Sequence, residues 1–151
     1  MNCKHCNVDT NKVIYTSKQW NLVFHKQDYL GRCILSTIRH VDNFSKLTDE
    51  EVIDLRNLLN SIEVTLKKLY GCTMLNWCCN MNNVYSRIDT PNPHVHIHVR
   101  PRYQNTVNIN NVDYKDKEFG EHYDRFAPIQ FDSETINIIF ESFKSEFLNS
   151  I

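Results

Sequence analysis

The chain has 151 residues, 41% of them hydrophobic, and 17 Lys and Arg against 18 Asp and Glu give a formal charge of −1. That length and apolar content suit one compact domain, residues 1–151, and exclude a largely disordered chain. Near-neutral charge with no basic stripe argues against broad attraction to nucleic acid, and no apolar run is long enough to cross a bilayer.

Met1-Asn2-Cys3-Lys4-His5-Cys6 is not a signal peptide, so the cytoplasm is the expected compartment. Cys3 and Cys6 form a CxxC. Cys33, Cys72, Cys78 and Cys79 stand among apolar residues and read as small core side chains rather than as a disulfide scaffold. Lys12 to Ser17 and Trp20 to Phe24 predict two short strands, and Gly31 introduces a third over Cys33 to Ile38. Thr48-Asp49-Glu50-Glu51 is a capping box that opens a long helix. Val52, Leu55, Leu59, Ile62, Leu66 and Leu69 recur along it at helical spacing, and Gly71 stands at its left-handed C-cap. Thr73 to Cys79 predicts a fourth strand and Pro93 to Val99 a fifth. The polar stretch 103–128 is long for a structureless loop, which makes it a functional flap or the host of short strands. Ser133 to Leu148 predicts an amphipathic helix whose stripe of Ile136, Ile139, Phe140, Phe143 and Phe147 faces a core or a dimer partner. Three strands, a helix, two strands and a helix make an α+β fold with an antiparallel sheet.

The fifth strand carries the chemistry. In His94-Val95-His96-Ile97-His98-Val99 the β-branched residues alternate with three imidazoles, so one face enters a core and the other presents the histidines. Imidazole suits nucleophilic attack, proton exchange and metal binding at neutral pH. His94 and His98 lie about 13 Å apart at strand rise, too far for one zinc ion to hold all three. Two neighbours share a metal, or the three divide the labour. The CxxC is open to a redox couple, to a bare thiol pair, or to a zinc site completed by two imidazoles, for which His40 and His94 are available.

His94-Val-His96-Ile-His98-Val-Arg100-Pro-Arg102 resembles the signature of the histidine triad superfamily. Leu30-Gly31-Arg32-Cys33-Ile34-Leu35, Arg39-His40-Val41 and the Leu-Thr-x-Glu-Glu helix start resemble its upstream half, and together the likeness covers residues 3–103, with 104–151 as an extension. Phe119-Gly120-Glu121-His122-Tyr123 resembles a less characterised microbial branch akin to diadenosine tetraphosphate hydrolase-like members. The resemblance implies a five-stranded antiparallel sheet with a long helix after the third strand, a C-terminal helix, and a homodimer that pairs two sheets. It implies that His96 attacks the α-phosphate of a nucleotide conjugate, that His98 contacts phosphate oxygens, and that Asn82 and Asn83 supply a phosphate-side amide. It also implies a structural zinc ion held by Cys3, Cys6, His40 and His94.

The likeness has gaps. Many members place a Gln or Ser just before the triad to donate to the scissile oxygen, where this chain has Thr90-Pro91-Asn92-Pro93; Thr90 and Asn92 are the candidate substitutes. Arg100 stands at a usually apolar position, and His25-Lys26 replaces a ribose-holding residue. The leading expectation is a nucleotide hydrolase or transferase acting on dinucleoside polyphosphates or nucleoside phosphoramidates. Its competitors are a zinc-bearing nucleotide-binding or regulatory protein with little turnover, and a zinc hydrolase using His94 and His96 with an open coordination site.

Overall fold

Alternating burial sets the register of the central strands. Trp20, Leu22 and Phe24 are buried on β2 (Trp20–Phe24), while Asn21 and Val23 between them are half-buried. In the computed structural model, which describes residues 3–87 and 91–151, β2 lies between β1 (Val13–Thr16) and β3 (Cys33–Thr37). After β3 the chain runs through α1 (Asp49–Tyr70) into β4 (Met74–Cys78), then α2 (Asn83–Arg87) and β5 (His96–Arg102). The sheet order is β1-β2-β3-β5-β4, antiparallel throughout, with β5 between β3 and β4.

α1 and α3 (Ser133–Asn149) pack on each other and on the β1–β2 side of this sheet. Leu22, Leu35, Ile97 and Val99 from the strands join Leu58, Ile62, Leu66, Phe143 and Phe147 from the helices in one apolar cluster. The α3 stripe is thus core, with Ile139, Phe143 and Phe147 fully buried. α1 begins at the expected capping box: Thr48 Oγ1 accepts from Glu51 N–H at 3.3 Å, and Glu51 Oε2 accepts from Thr48 N–H at 2.8 Å. Gly71 closes it at φ +64°. Val52 departs from the predicted stripe and is exposed, because Glu51, joined to Arg39 at 2.8 Å, occupies the buried side of the first turn.

The strands are shorter than predicted at most ends, and the single-turn α2 was not foreseen. Within 103–128 the second of the two expected alternatives holds: the segment hosts short strands, β6 (Val107–Ile109) and β7 (Val112–Tyr114), which form a hairpin. Its two turn residues, Asn110 and Asn111, both have positive φ, 50° and 63°, as a type I′ turn requires. Cys33 and Cys72 are buried as expected, but Cys78 and Cys79 are only half-buried near the open β4 edge. No helix among the described residues is long and apolar enough to cross a membrane.

Gly31 shapes the entry to β3. Its φ is +74°, and a Cβ there meets Leu66 Cδ2 at 2.6 Å inside the core. Gly31→Ala combines a left-handed backbone penalty with overpacking, so a loss of about 2–3 kcal/mol is expected in denaturant unfolding. A change under ~0.5 kcal/mol would mean that this approach relaxes freely.

Candidate functional site

With the helices on one face of the sheet, β5 turns its histidines to the other. Val95, Ile97 and Val99 are buried, while His96 and His98 are half-buried on the opposite face. Ser36 on β3 lies opposite His96, and Ile34 and Cys78 flank His98 from the two neighbouring strands.

His94 does not lie on the strand as the alternation predicted. β5 begins at His96; just before it Thr37 N–H still donates to Val95 O at 3.4 Å along the β3 register, but Val95 N–H turns away to Val41 O at 2.7 Å. His94 is 3% exposed. Its Nε2 lies 2.9 Å from Thr37 O, an atom that can only accept, so the ring proton sits on Nε2. Nδ1 is left unprotonated and faces Cys3 Sγ at 3.2 Å and Cys6 Sγ at 3.5 Å. Both nitrogens are thereby occupied, so His94 shares no metal with His96 and the open-site zinc hydrolase loses its ligand pair.

Cys3 and Cys6 come together because Cys6 N–H and Asn7 N–H both donate to Cys3 O, at 3.2 and 3.1 Å, winding the CxxC into one turn. His40 Nδ1 lies 3.2 Å from Cys6 Sγ. All four donor atoms of Cys3, Cys6, His40 and His94 fall within 4.8 Å of one another. A tetrahedral zinc ion with bonds near 2.3 Å to sulfur and 2.05 Å to nitrogen places S and N about 3.5 Å apart. The S···N separations of 3.2, 3.2 and 3.5 Å match that, so the donor set is compatible with zinc. Thr37 O supplies the second hydrogen bond that orients a ligating imidazole.

His96 has the opposite tautomer. Its Nδ1 donates to His94 O at 2.8 Å, which leaves Nε2 with a free lone pair. Burial holds its pKa below the ordinary imidazole value, against the pull of that hydrogen bond, and the Lys4 charge lowers it further. His98 is pushed down to about 3, first by burial and then by His96, Arg100 and Arg32.

Two histidines join this group that the strand pattern did not single out as site residues. His5 stacks on His96 with centroids 4.2 Å apart and planes 19° apart, and His25 meets His98 edge-on at 6.4 Å. A signal for His5 was present: it lies between two cysteines that meet His94, one alternate position from His96. A cavity of about 340 Å³ opens here, lined by His5, Asn83, Asn92, His94, His96 and His98 among others. Asn83 thus reaches the site, whereas Asn82 is exposed outside that lining. Asn92 lines the cavity, and Thr90 lies outside the described residues.

The sequence matches no protein-family model and no curated protein. Solved structures do match. A hypothetical histidine triad nucleotide-binding protein from Sulfolobus tokodaii is 15% identical, with a TM-score of 0.67 over 97% of this chain and 93% of that one. A Zn-bound histidine triad family protein from Mycobacterium smegmatis is 15% identical, with a TM-score of 0.64 over 99% and 95%. The Plasmodium falciparum diadenosine triphosphate hydrolase, in complex with cyclomarin A, is 21% identical, with a TM-score of 0.57 over 93% and 81%. The chain has the histidine triad fold. Its five-stranded antiparallel sheet, its long helix after β3 and its C-terminal helix agree with the expectation from sequence.

The half-buried histidines of this face are expected to make the fold acid-sensitive. His98 and His25 sit at about 3 and about 4, below the ordinary 6.5, chiefly through burial. On acidification the unfolded chain takes up their protons first. Stability is therefore full above pH 6.5 and is lost as pH falls toward 4, by up to about 1.4 kcal/mol per histidine per pH unit. Urea midpoints at pH 7, 6 and 5 should fall in that order, and His98→Asn should flatten the slope. A pH-independent midpoint contradicts the burial argument.

Proposed function

We propose that this protein is a nucleotide hydrolase or nucleotidyl transferase. It acts at the α-phosphate of dinucleoside polyphosphates or nucleoside phosphoramidates through a nucleotidyl-His96 intermediate. The observation that carries the proposal is the His96 Nδ1–H bond to His94 O at 2.8 Å, which frees Nε2. A neutral imidazole with its second nitrogen anchored is a competent nucleophile at pH 7. In the first step an Nε2–P bond forms while the P–O or P–N bond to the leaving group breaks; a phosphate departs with the electron pair as its anion, and an amine departs after taking a proton from solvent. In the second, a water oxygen bonds to phosphorus, the Nε2–P bond breaks and the water gives up a proton, which releases the nucleoside monophosphate and restores neutral His96. His98 and the Asn83 amide contact the non-bridging oxygens, where positioning and charge stabilisation carry most of the catalysis. Asn92, which lines the same cavity, contacts the leaving group.

Cys3, Cys6, His40 and His94 hold a structural zinc ion in this proposal. When bound, it fixes the amino-terminal turn and the His94 backbone without entering the chemistry. His94 O in turn sets the tautomer of His96. The protein works as a cytoplasmic homodimer, and β4, paired among the described residues with β5 alone, leaves a sheet edge for a second copy.

Incubation with diadenosine tetraphosphate and with adenosine 5′-phosphoramidate tests the proposal. Release of adenosine 5′-monophosphate from either is the expected result. Tight nucleotide binding with neither substrate turned over points instead to a zinc-bearing regulatory protein.

A further inference from the structure

One feature of the triad face lies beyond His98 and has no part in the chemistry above. Phe24 is opposite Cys33, and Cys33 is opposite Val99. One residue further along this register, His25, Arg32 and Arg100 come side by side across β2, β3 and β5, with Asn76 opposite Arg100 on β4. His25 N–H donates to Arg32 O at 3.2 Å, which holds this row together past the end of β2. The row stands on the same face as His98, since two residues along a strand restore the side.

Its charge is unbalanced. Arg32 Nη1 lies 2.6 Å from both oxygens of Asp28, and Lys26 Nζ lies 3.9 Å from the same carboxylate. Arg100 is 6% exposed, yet among the described residues it makes no hydrogen bond and no ion pair, and its Nε is buried without a partner. Its one close neighbour of note is the Tyr123 ring, 3.3 Å from Cζ to the centroid. A guanidinium held over a ring face is positioned without using its N–H groups, which stay available to an anion. The Nδ1 atoms of His25 and His98, whose rings meet edge-on at 6.4 Å, are likewise buried without a partner. Buried charges are ordinarily paired, and the carboxylate that acts on Arg100, Asp28, is already engaged by Arg32, so this guanidinium is one prepared for a ligand.

We propose that Arg100, with Arg32 and His25, forms an anion subsite that takes a second phosphate group of the bound nucleotide. This rests on the nucleotide reading of the site and narrows it. Ligands with two phosphates are preferred over those with one, so polyphosphate conjugates are favoured over simple phosphoramidates. The second phosphate is carried either in the 5′ chain or on the ribose.

The test is calorimetric titration of the full chain with adenosine 5′-monophosphate, adenosine 5′-diphosphate, adenosine 3′,5′-bisphosphate and inorganic pyrophosphate. The same set is run on Arg100→Met and Arg100→Lys, with the melting temperature of each. Wild-type protein should bind one of the two-phosphate nucleotides at least about tenfold more tightly than the monophosphate, as a charge-assisted bidentate contact provides. Which one wins distinguishes chain from ribose. Arg100→Met should erase that advantage, leave monophosphate affinity unchanged, and melt no lower than wild type; Arg100→Lys should keep part of the advantage. A second phosphate that adds less than about twofold, or an advantage that survives Arg100→Met, overturns the subsite. So does an Arg100→Met protein that melts several degrees lower with unaltered affinities, since Arg100 then only props Tyr123. If no nucleotide binds but pyrophosphate does, and Arg100→Met weakens it, the anion subsite stands and the nucleotide reading falls. If nothing binds, both fall.

Discussion

His96→Ala is expected to lower kcat by about four orders of magnitude or more, on whichever conjugate the wild-type protein turns over. Removing a covalent nucleophile abolishes the pathway rather than weakening it, and what survives is catalysis by positioning alone. The fold should feel the change little. His96 is half-buried at the cavity, and its loss removes one hydrogen bond, to His94 O at 2.8 Å, and the stack on His5. A net cost of about 1 kcal/mol is the scale for such a bond, a few degrees of melting temperature in a chain this long. His98→Ala should instead cost about 10²- to 10³-fold, as loss of one stabilising donor does. A His96→Ala enzyme within tenfold of wild type places the nucleophile elsewhere.

Zinc removal has the largest expected effect on stability. Four candidate donor atoms within 4.8 Å bring residues 3–6 against the segments carrying His40 and His94, two thiols and two imidazoles that a metal would hold together. Structural zinc contributes folding free energy outright. In the proposed site it would anchor one turn rather than a whole domain, so a loss of about 3–5 kcal/mol, or roughly 10–15 °C, is expected on chelation or in Cys3→Ser. Activity should fall with it, because His5 lies between two of the ligands and stacks on His96 at 4.2 Å. Metal analysis of the purified protein should find one zinc per chain. A content well below that, or a melting temperature indifferent to chelators, removes the assigned ligand set.

Much of this was legible in the sequence because the signals are local. The capping box of Thr48 and Glu51, the left-handed Gly71 and the α3 stripe each lie within a few turns of chain, where propensity and periodicity act directly. The β6–β7 hairpin was hidden by strands of three residues, too short for alternation to register, although the Asn110-Asn111 pair is the residue type its turn demands. His94 followed the strand pattern in sequence but not in space, since Thr37, Val41 and the two thiols hold it off the ladder. His5 and His25 were not placed in the site because their proximity to the triad depends on sheet register and on the closure of the CxxC loop. Neither is local. The pairing of Arg32 with Arg100 is of the same kind, set by two strands about 65 residues apart that only the fold brings side by side.

The most direct measurement is rapid quenching of the protein with α-phosphate-labelled diadenosine tetraphosphate, followed by peptide mass spectrometry under alkaline conditions that preserve phosphoramidate bonds. An acid-labile adenylyl group on the peptide bearing His96, formed within one turnover and absent from His96→Ala, is the result expected of a nucleotidyl-histidine mechanism. Turnover with no adduct at any quench time, or an adduct on another residue, contradicts it.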